Sequence, residues 1–288
     1  MRGSQRMKII KICLLALLIL TIAGSAAYMV LNKDKGGKAP SITGTKDKIS
    51  VPCEYSDSDL LKGLTASDAE DGDLTDGIII GNFSKFKSRG TADLEYVVFD
   101  SDGNFDSYKR EVQFSDYEPP KITFNKPYVF YANKSTSGVL RQYTEANDLL
   151  DGDITKHLKI TDTDADFDKI GDYKVAISVK NSFGDEVTME FPVHVLDAAD
   201  DKGNTIALKA YIVYLDKGAG FDPNEYFIDV VANYSGTAVP PDTYSMNIDS
   251  DVDMSKNGIY EVHYTAVSSE GSALAETWLT VVVGEYGG

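Results

Sequence analysis

Acidic residues gather around a glycine turn at two places in this chain. Ser67–Thr75 reads Ser-Asp-Ala-Glu-Asp-Gly-Asp-Leu-Thr, and Asn147–Thr155 reads Asn-Asp-Leu-Leu-Asp-Gly-Asp-Ile-Thr. Carboxylates are hard oxygen donors, the kind that Ca²⁺ collects about six to eight at a time. Asp71 and Asp73, with Asp151 and Asp153, are therefore the candidate metal ligands, and Asp68, Glu70 and Asp148 are close to them in sequence. Each copy holds only a pair of carboxylates firmly, well short of a calcium shell. The same residues also build a tight turn, in which Asp side chains accept hydrogen bonds from nearby backbone N–H groups. The structural turn is the preferred reading, and calcium is the alternative.

Other chemistry finds less support. Asp-rich runs starting at Asp100, Asp162 and Asp249 put Phe105, Phe167 and Met254 where an EF-hand loop requires glycine. His157, His194 and His263 stand at non-equivalent places, and Cys53, expected in a strand, has no histidine near it in sequence. No nucleophile and base are paired. Acids that recur with the repeat are better explained by repeated structure than by glycoside hydrolysis. The glycines fall in hairpin turns, so no phosphate cradle is expected. Tyr96, Tyr173, Tyr260 and Tyr264 read as core or half-buried strand residues before they read as a sugar platform. Trp278, which shares a strand face with Thr280 and Val282, reads as packing. A non-enzymatic protein is expected.

The elements that must position these residues follow from charge and pattern. The chain has 288 residues, 28 Lys and Arg against 45 Asp and Glu, a net charge of −17 and two cysteines. Its length allows two or three domains. The negative charge argues against nucleic acid as a partner, and two cysteines cannot build a disulfide framework. The charge is divided: residues 1–39 hold seven basic residues and one acid, leaving 21 against 44, or −23, for residues 40–288.

Residues 12–31 form a 20-residue run without a charge, long enough for a helix to cross about 30 Å of hydrocarbon. Arg2, Arg6, Lys8 and Lys11 precede it, and Lys33, Lys35 and Lys38 come after it. A basic N-terminus ahead of an apolar run stays in the cytoplasm and directs export of the remaining chain, whether as a signal peptide or as a retained signal-anchor. Ala23–Ala27 offers small residues for cleavage, but the run continues through Tyr28–Leu31, and a retained anchor is expected. The cytoplasmic membrane is thus one partner, through residues 12–31.

Beyond a Gly/Lys linker the pattern changes to short strands. Gly90 and Gly103, Gly171 and Gly184, and Gly258 and Gly271 are each 13 residues apart. Between them the inward positions align as Ala92/Tyr173/Tyr260, Leu94/Val175/Val262, Tyr96/Ile177/Tyr264 and Val98/Val179/Ala266, stepping by two as one buried strand face requires. The first glycine of each pair is expected to supply a strained turn at positive φ, the second a hairpin turn. The apolar runs Val112–Phe114, Phe191–Val195 and Leu279–Val283 close the three copies. The organisation expected is a cytoplasmic basic tail (1–11), a transmembrane signal-anchor (12–31), a linker (32–39) and three β-sandwiches at 40–118, 119–197 and 198–288. Short Pro-containing joints suggest a semi-extended rod.

The Asp-Gly-Asp-Leu/Ile-Thr runs, with Arg89-Gly90-Thr91 and Phe99–Asn104 in copy one and Ile170–Val175 in copy two, resemble the bacterial immunoglobulin-like repeats of surface proteins. Copy three keeps Asp253–Tyr260 but lacks Asp-Gly-Asp. The resemblance spans 40–284, is weakest at 203–245, and implies an all-β chain of three tandem immunoglobulin-like antiparallel sandwiches in a surface setting. It implies no ligand. The function expected is a membrane-anchored extracellular stalk, adhesion or protein-interaction module. The alternative is a receptor head in copy three for a glycan or protein, with calcium supporting the other copies.

Overall fold

The computed structural model describes Ser25 and residues 37–286. Within them the chain is all-β, and no helix is long and apolar enough to cross a membrane. The span expected at 12–31 lies, Ser25 apart, outside the described residues. The described residues divide into two compact units, one of the residues up to Val51 with Tyr55–Ser84 and Asp93–Gln113, the other of Pro52–Glu54 with Lys85–Ala92 and the residues from Phe114 onward.

The first unit carries β1 (Ser41–Gly44), β2 (Lys48–Val51), β3 (Leu64–Asp68), β4 (Gly72–Asp73), β5 (Ile79–Phe83) and most of β6 (Thr91–Phe99) and β7 (Phe105–Phe114). They form two sheets, β1-β3-β4 and β2-β7-β6-β5. Ala92, Leu94, Tyr96 and Val98 along β6 are all fully buried, so the face read from the two-residue step is the core face. Arg110 on β7 is buried among them. Its guanidinium donates to the Lys62 and Leu60 carbonyls at 3.0 and 3.2 Å, and the Tyr96 hydroxyl donates to the same Leu60 carbonyl at 2.8 Å. Both groups thereby satisfy carbonyls that the short helix Asp57–Leu61 leaves open at its C-terminus. At the other end of that helix Ser56 and Asp59 form a reciprocal capping box.

The second unit continues with β8 (Lys121–Phe124), β9 (Val129–Tyr131), β10 (Thr144–Asp148), β11 (Gly152–Asp153), β12 (Lys159–Thr163), β13 (Gly171–Lys180) and β14 (Glu186–Leu196). These again make a three-stranded sheet, β11-β10-β8, and a four-stranded one, β12-β13-β14-β9. The third copy comes next as β15 (Asn204–Leu208), β16 (Ile212–Leu215), β17 (Phe227–Ala232), β18 (Tyr244–Ser250), β19 (Gly258–Ser268) and β20 (Ala273–Val283). Its larger sheet repeats the order as β16-β20-β19-β18, while β15-β17 has only two strands because the Asp-Gly-Asp strand is missing. In both copies the long hairpin is antiparallel and the outer strand, β9 or β16, joins it in parallel.

Ile212 and Val282 of the third copy lie in one buried apolar cluster with Ile122, Phe191 and Val193 of the second. The Tyr214 hydroxyl bridges the same joint, donating to the Ile122 carbonyl at 2.8 Å and accepting from its N–H at 3.2 Å. Burial of this kind is worth about 25 cal/mol per Å² of apolar surface, so the two sandwiches hold each other rather than being joined by the chain alone.

Two sequence expectations need correction. Gly103, Gly184 and Gly271 take positive φ as hairpin turns require, and so does Gly90, but Gly171 and Gly258 do not. They open β13 and β19 in ordinary backbone, where the ring of the tyrosine two residues on covers them: Tyr173 comes within 3.3 Å of where a Cβ on Gly171 would stand, and Tyr260 within 3.1 Å at Gly258. Copy one has Ala92 in place of that tyrosine, and there the glycine adopts φ 72° with Tyr117 against it. Cys53 is not in a strand either. It lies buried in the bend after β2, its N–H donating to Asp116 Oδ1 at 2.7 Å.

Candidate functional site

Asp71, Asp73, Asp151 and Asp153 are all engaged in the turns that carry them. In copy one, Asp68 Oδ1 accepts from the Glu70 and Asp71 N–H groups at 2.7 and 3.0 Å, and Asp73 Oδ1 accepts from the Thr75 N–H at 2.9 Å. Asp71 reaches further, to the β6–β7 turn, where its two oxygens take the Ser101 N–H at 2.7 Å and hydroxyl at 2.9 Å. Copy two repeats every contact. Asp148 Oδ1 accepts from Leu150 and Asp151, Asp153 Oδ1 accepts from Thr155, and Asp151 takes the Ser182 N–H and hydroxyl in the β13–β14 turn. The Asp-Gly-Asp run is thus a clasp that ties the small sheet to the hairpin turn of the large one.

Electrostatics agree with that role. Hydrogen bonds from the Asp71 and Glu70 N–H groups hold the Asp68 carboxyl below the usual carboxylate range, and those of Thr75 and Thr155 do the same for Asp73 and Asp153. The copies differ at one atom. Asp148 Oδ2 accepts from Asn181 Nδ2 at 3.1 Å, whereas Asp68 Oδ2 is buried without a hydrogen bond, and the residue that corresponds to Asn181 is Asp100, an acceptor. Among the described residues no group of three or more His, Cys, Asp or Glu is arranged to hold a metal.

A second repeated device precedes the long hairpins. Asp166 pairs with Lys169 at 2.6 Å and the Tyr173 hydroxyl donates to the Lys169 carbonyl at 3.0 Å; Asp253 pairs with Lys256 at 2.8 Å and Tyr260 donates to the Lys256 carbonyl at 3.2 Å. Hydrogen bonds from Lys256 and Ser255 lower the Asp253 carboxyl to about 2. The spacing Asp-x-x-Lys-x-Gly-x-Tyr, legible in both copies, is the signal that could have revealed the glycine's role.

The histidines fall as three different cases. His157 is exposed. His194 and His263 lie on the two faces of Trp278, each at 4.0 Å between ring centroids, with planes 13° and 5° from parallel. His194 on β14 belongs to the second sandwich and Trp278 on β20 to the third, so this stack is part of their joint. Trp278 is packing, as its strand parity suggests, although its partner across the joint is not visible in sequence. Cys53 is shielded from solvent, and burial with the nearby Asp116 pushes its thiol up to about 12, which leaves it a poor nucleophile.

Within the second unit, Phe86, Phe114, Tyr117 and Phe183 form an aromatic group, with Phe86 stacked on Phe183 at 4.8 Å. Asp185 accepts from Arg89 and from the Tyr117 hydroxyl beside it. A cleft of about 900 Å³ at the joint of the second and third sandwiches is lined by Tyr214, Tyr286, Lys121, Lys217 and Asn257 among others.

No family model matches the chain. It is 29% identical over 150 residues to the pesticidal crystal protein Cry22Aa of Bacillus thuringiensis, a match that covers 51% of this chain and 20% of that protein. It is 30% identical over 142 residues to an uncharacterized 81.3 kDa protein of Acholeplasma phage L2, covering 48% of this chain and 18% of the other. The matches are partial. The chain spans about a fifth of the length of these curated relatives. Among solved structures, the CBM51-2 and INT domains of Clostridium perfringens ZmpB cover 52% of this chain and 28% of that one at 19% identity and a TM-score of 0.23. Drosophila N-cadherin EC1-3 covers 87% and 90% at 11% identity and a TM-score of 0.29. TM-scores this low give these likenesses no weight in assigning a function.

Proposed function

We propose that the chain is a membrane-anchored, exported, non-enzymatic surface protein, whose three immunoglobulin-like sandwiches form a stalk for adhesion or protein interaction. The carrying observation is the clasp: copies one and two repeat the same Asp-to-Ser tie between sheets, atom for atom, committing their acids to structure. Repeated structural devices without a divergent reactive centre are what a spacer needs. The uncharged run at 12–31, placed between a basic tail and a strongly acidic remainder, supports anchoring and export. Mass spectrometry of the mature N-terminus tests the anchor: retention of residues 1–31 supports it, and a chain beginning near residue 26 or 28 contradicts it.

The receptor reading is favoured by one feature, the cleft with Tyr214 and Tyr286 in contact at 4.6 Å and Lys121, Lys217 and Asn257 around them. Aromatic faces beside hydrogen-bond donors suit a glycan or an acidic peptide. A glycan array probed with the full chain and with Tyr286→Ala tests it. Binding that the substitution removes supports a receptor head, and binding that it leaves unchanged contradicts this site.

A further inference from the structure

His194 has a carboxylate at each ring nitrogen. Nδ1 is 2.8 Å from Asp172 Oδ1, on the neighbouring strand β13 of the same sandwich, and Nε2 is 2.9 Å from Glu261 Oε1, on β19 of the next. The side chain is only 7% exposed, and one face of the ring lies on Trp278. A neutral imidazole owns one N–H and one lone pair, so it can donate to only one of these acids and must turn its lone pair toward the other. Only the imidazolium donates to both.

We propose that His194 is a protonation-controlled lock of the joint between the second and third sandwiches, closed when the imidazolium ties Asp172 to Glu261 and weakened when the proton leaves. The charged groups at its ring nitrogens are Asp172 on β13 and Glu261 on β19, while the pair of His263 on β19 and Glu276 on β20, 2.9 Å apart at Nε2 and Oε2, stands across the Trp278 ring from it. Behind Glu261, Asp251 accepts its backbone N–H at 2.8 Å, and on the parallel strand β9 the residue opposite His194 is Val129, which carries no charge. Burial pulls the imidazole down, but the hydrogen bonds and charges of Glu261 and Asp172 outweigh it and hold the proton above the ordinary histidine range. With the folded value raised, the stabilisation is complete below the unfolded value of about 6.5 and is lost as pH rises through the folded one.

Trp278 is the sole tryptophan of the chain. An imidazolium in contact with indole quenches its fluorescence, so the full chain in detergent micelles reports the lock directly during a pH titration. The expected result is emission that rises with pH about a midpoint above 6.5, a midpoint that falls by about one unit in Glu261→Gln, and loss of this transition in His194→Gln but not in His263→Gln. The thermal midpoint of the parent should exceed that of His194→Gln by more at about pH 6 than at about pH 8.5. Should His194→Gln fail to fold, Glu261→Gln and Asp172→Asn still decide the matter. A midpoint at or below about 6.5, or one that neither carboxamide variant moves, overturns the proposal.

Discussion

The ring of Tyr260 stands 3.1 Å from where a side chain at Gly258 would begin. The glycine is there to make room for the ring, and the backbone is unstrained. Gly258→Val should therefore destabilise the third sandwich by displacing Tyr260, and Tyr260→Ala should relieve part of that cost. Chemical denaturation of the two single variants and the double variant is expected to give a coupling of about 0.5–3 kcal/mol. Strict additivity would return the glycine to a purely conformational role.

Gly90 offers the converse. It holds φ 72°, so Gly90→Ala should destabilise by about 1 kcal/mol or more whatever is done to Ala92. Gly171→Ala, in ordinary backbone, should cost less than Gly90→Ala in the same assay once Tyr173 is shortened to Ala.

The clasp makes its own prediction. Asp151→Ala or Ser182→Ala breaks a charge-assisted tie between turn and hairpin, worth about 1 kcal/mol after allowance for its exposure. Asp151→Ala removes both bonds to Ser182 whereas Ser182→Ala leaves the backbone N–H bond in place, so the serine change should cost less and should add little to Asp151→Ala. A double-mutant cycle in which the effects simply add would show that Asp151 acts elsewhere.

Acid should loosen the turns that carry the clasps. The carboxyls of Asp68, Asp73 and Asp153 lie below their unfolded values, so their contribution is present above about pH 4 and lost as pH falls through the folded values. Denaturant midpoints measured from about pH 6 to about pH 2 should decline most steeply below about pH 4, and Asp73→Asn should flatten that decline.

Calcium separates the two readings of the turn acids. If they serve only as clasps, millimolar Ca²⁺ should raise the melting temperature no more than Mg²⁺ does, since screening of the acidic surface is shared by both ions. Mg²⁺ demands octahedral geometry, so a Ca²⁺-specific rise of several degrees would mark a true site. If that rise disappears in Asp68→Asn but survives in Asp148→Asn, it points to copy one, where Asp68 Oδ2 has no donor.

Much of this was open to reading in the residues themselves. The two-residue step from Leu94 to Val98 is enough to orient β6, because a strand with one buried face has no other parity. The Asp-Gly-Asp turn is equally legible, as its hydrogen bonds close within a few residues. The reach of Asp71 to Ser101 spans 30 positions and depends on how two sheets meet. Gly171 misleads because glycine serves positive φ and close ring contact alike, and only the tyrosine two residues on distinguishes them. The link from His194 to Glu261 spans 67 residues and exists only once two sandwiches have docked, so no local pattern announces it.

The most direct test of the central claim is the sidedness of the chain in intact cells. Protease added outside should consume residues 40–288 of the full-length protein while leaving a short N-terminal fragment with the membrane, detected by tags at either end. Complete protection of the C-terminal tag until the cells are lysed, with the chain otherwise folded and cleavable, would contradict an exported, anchored protein.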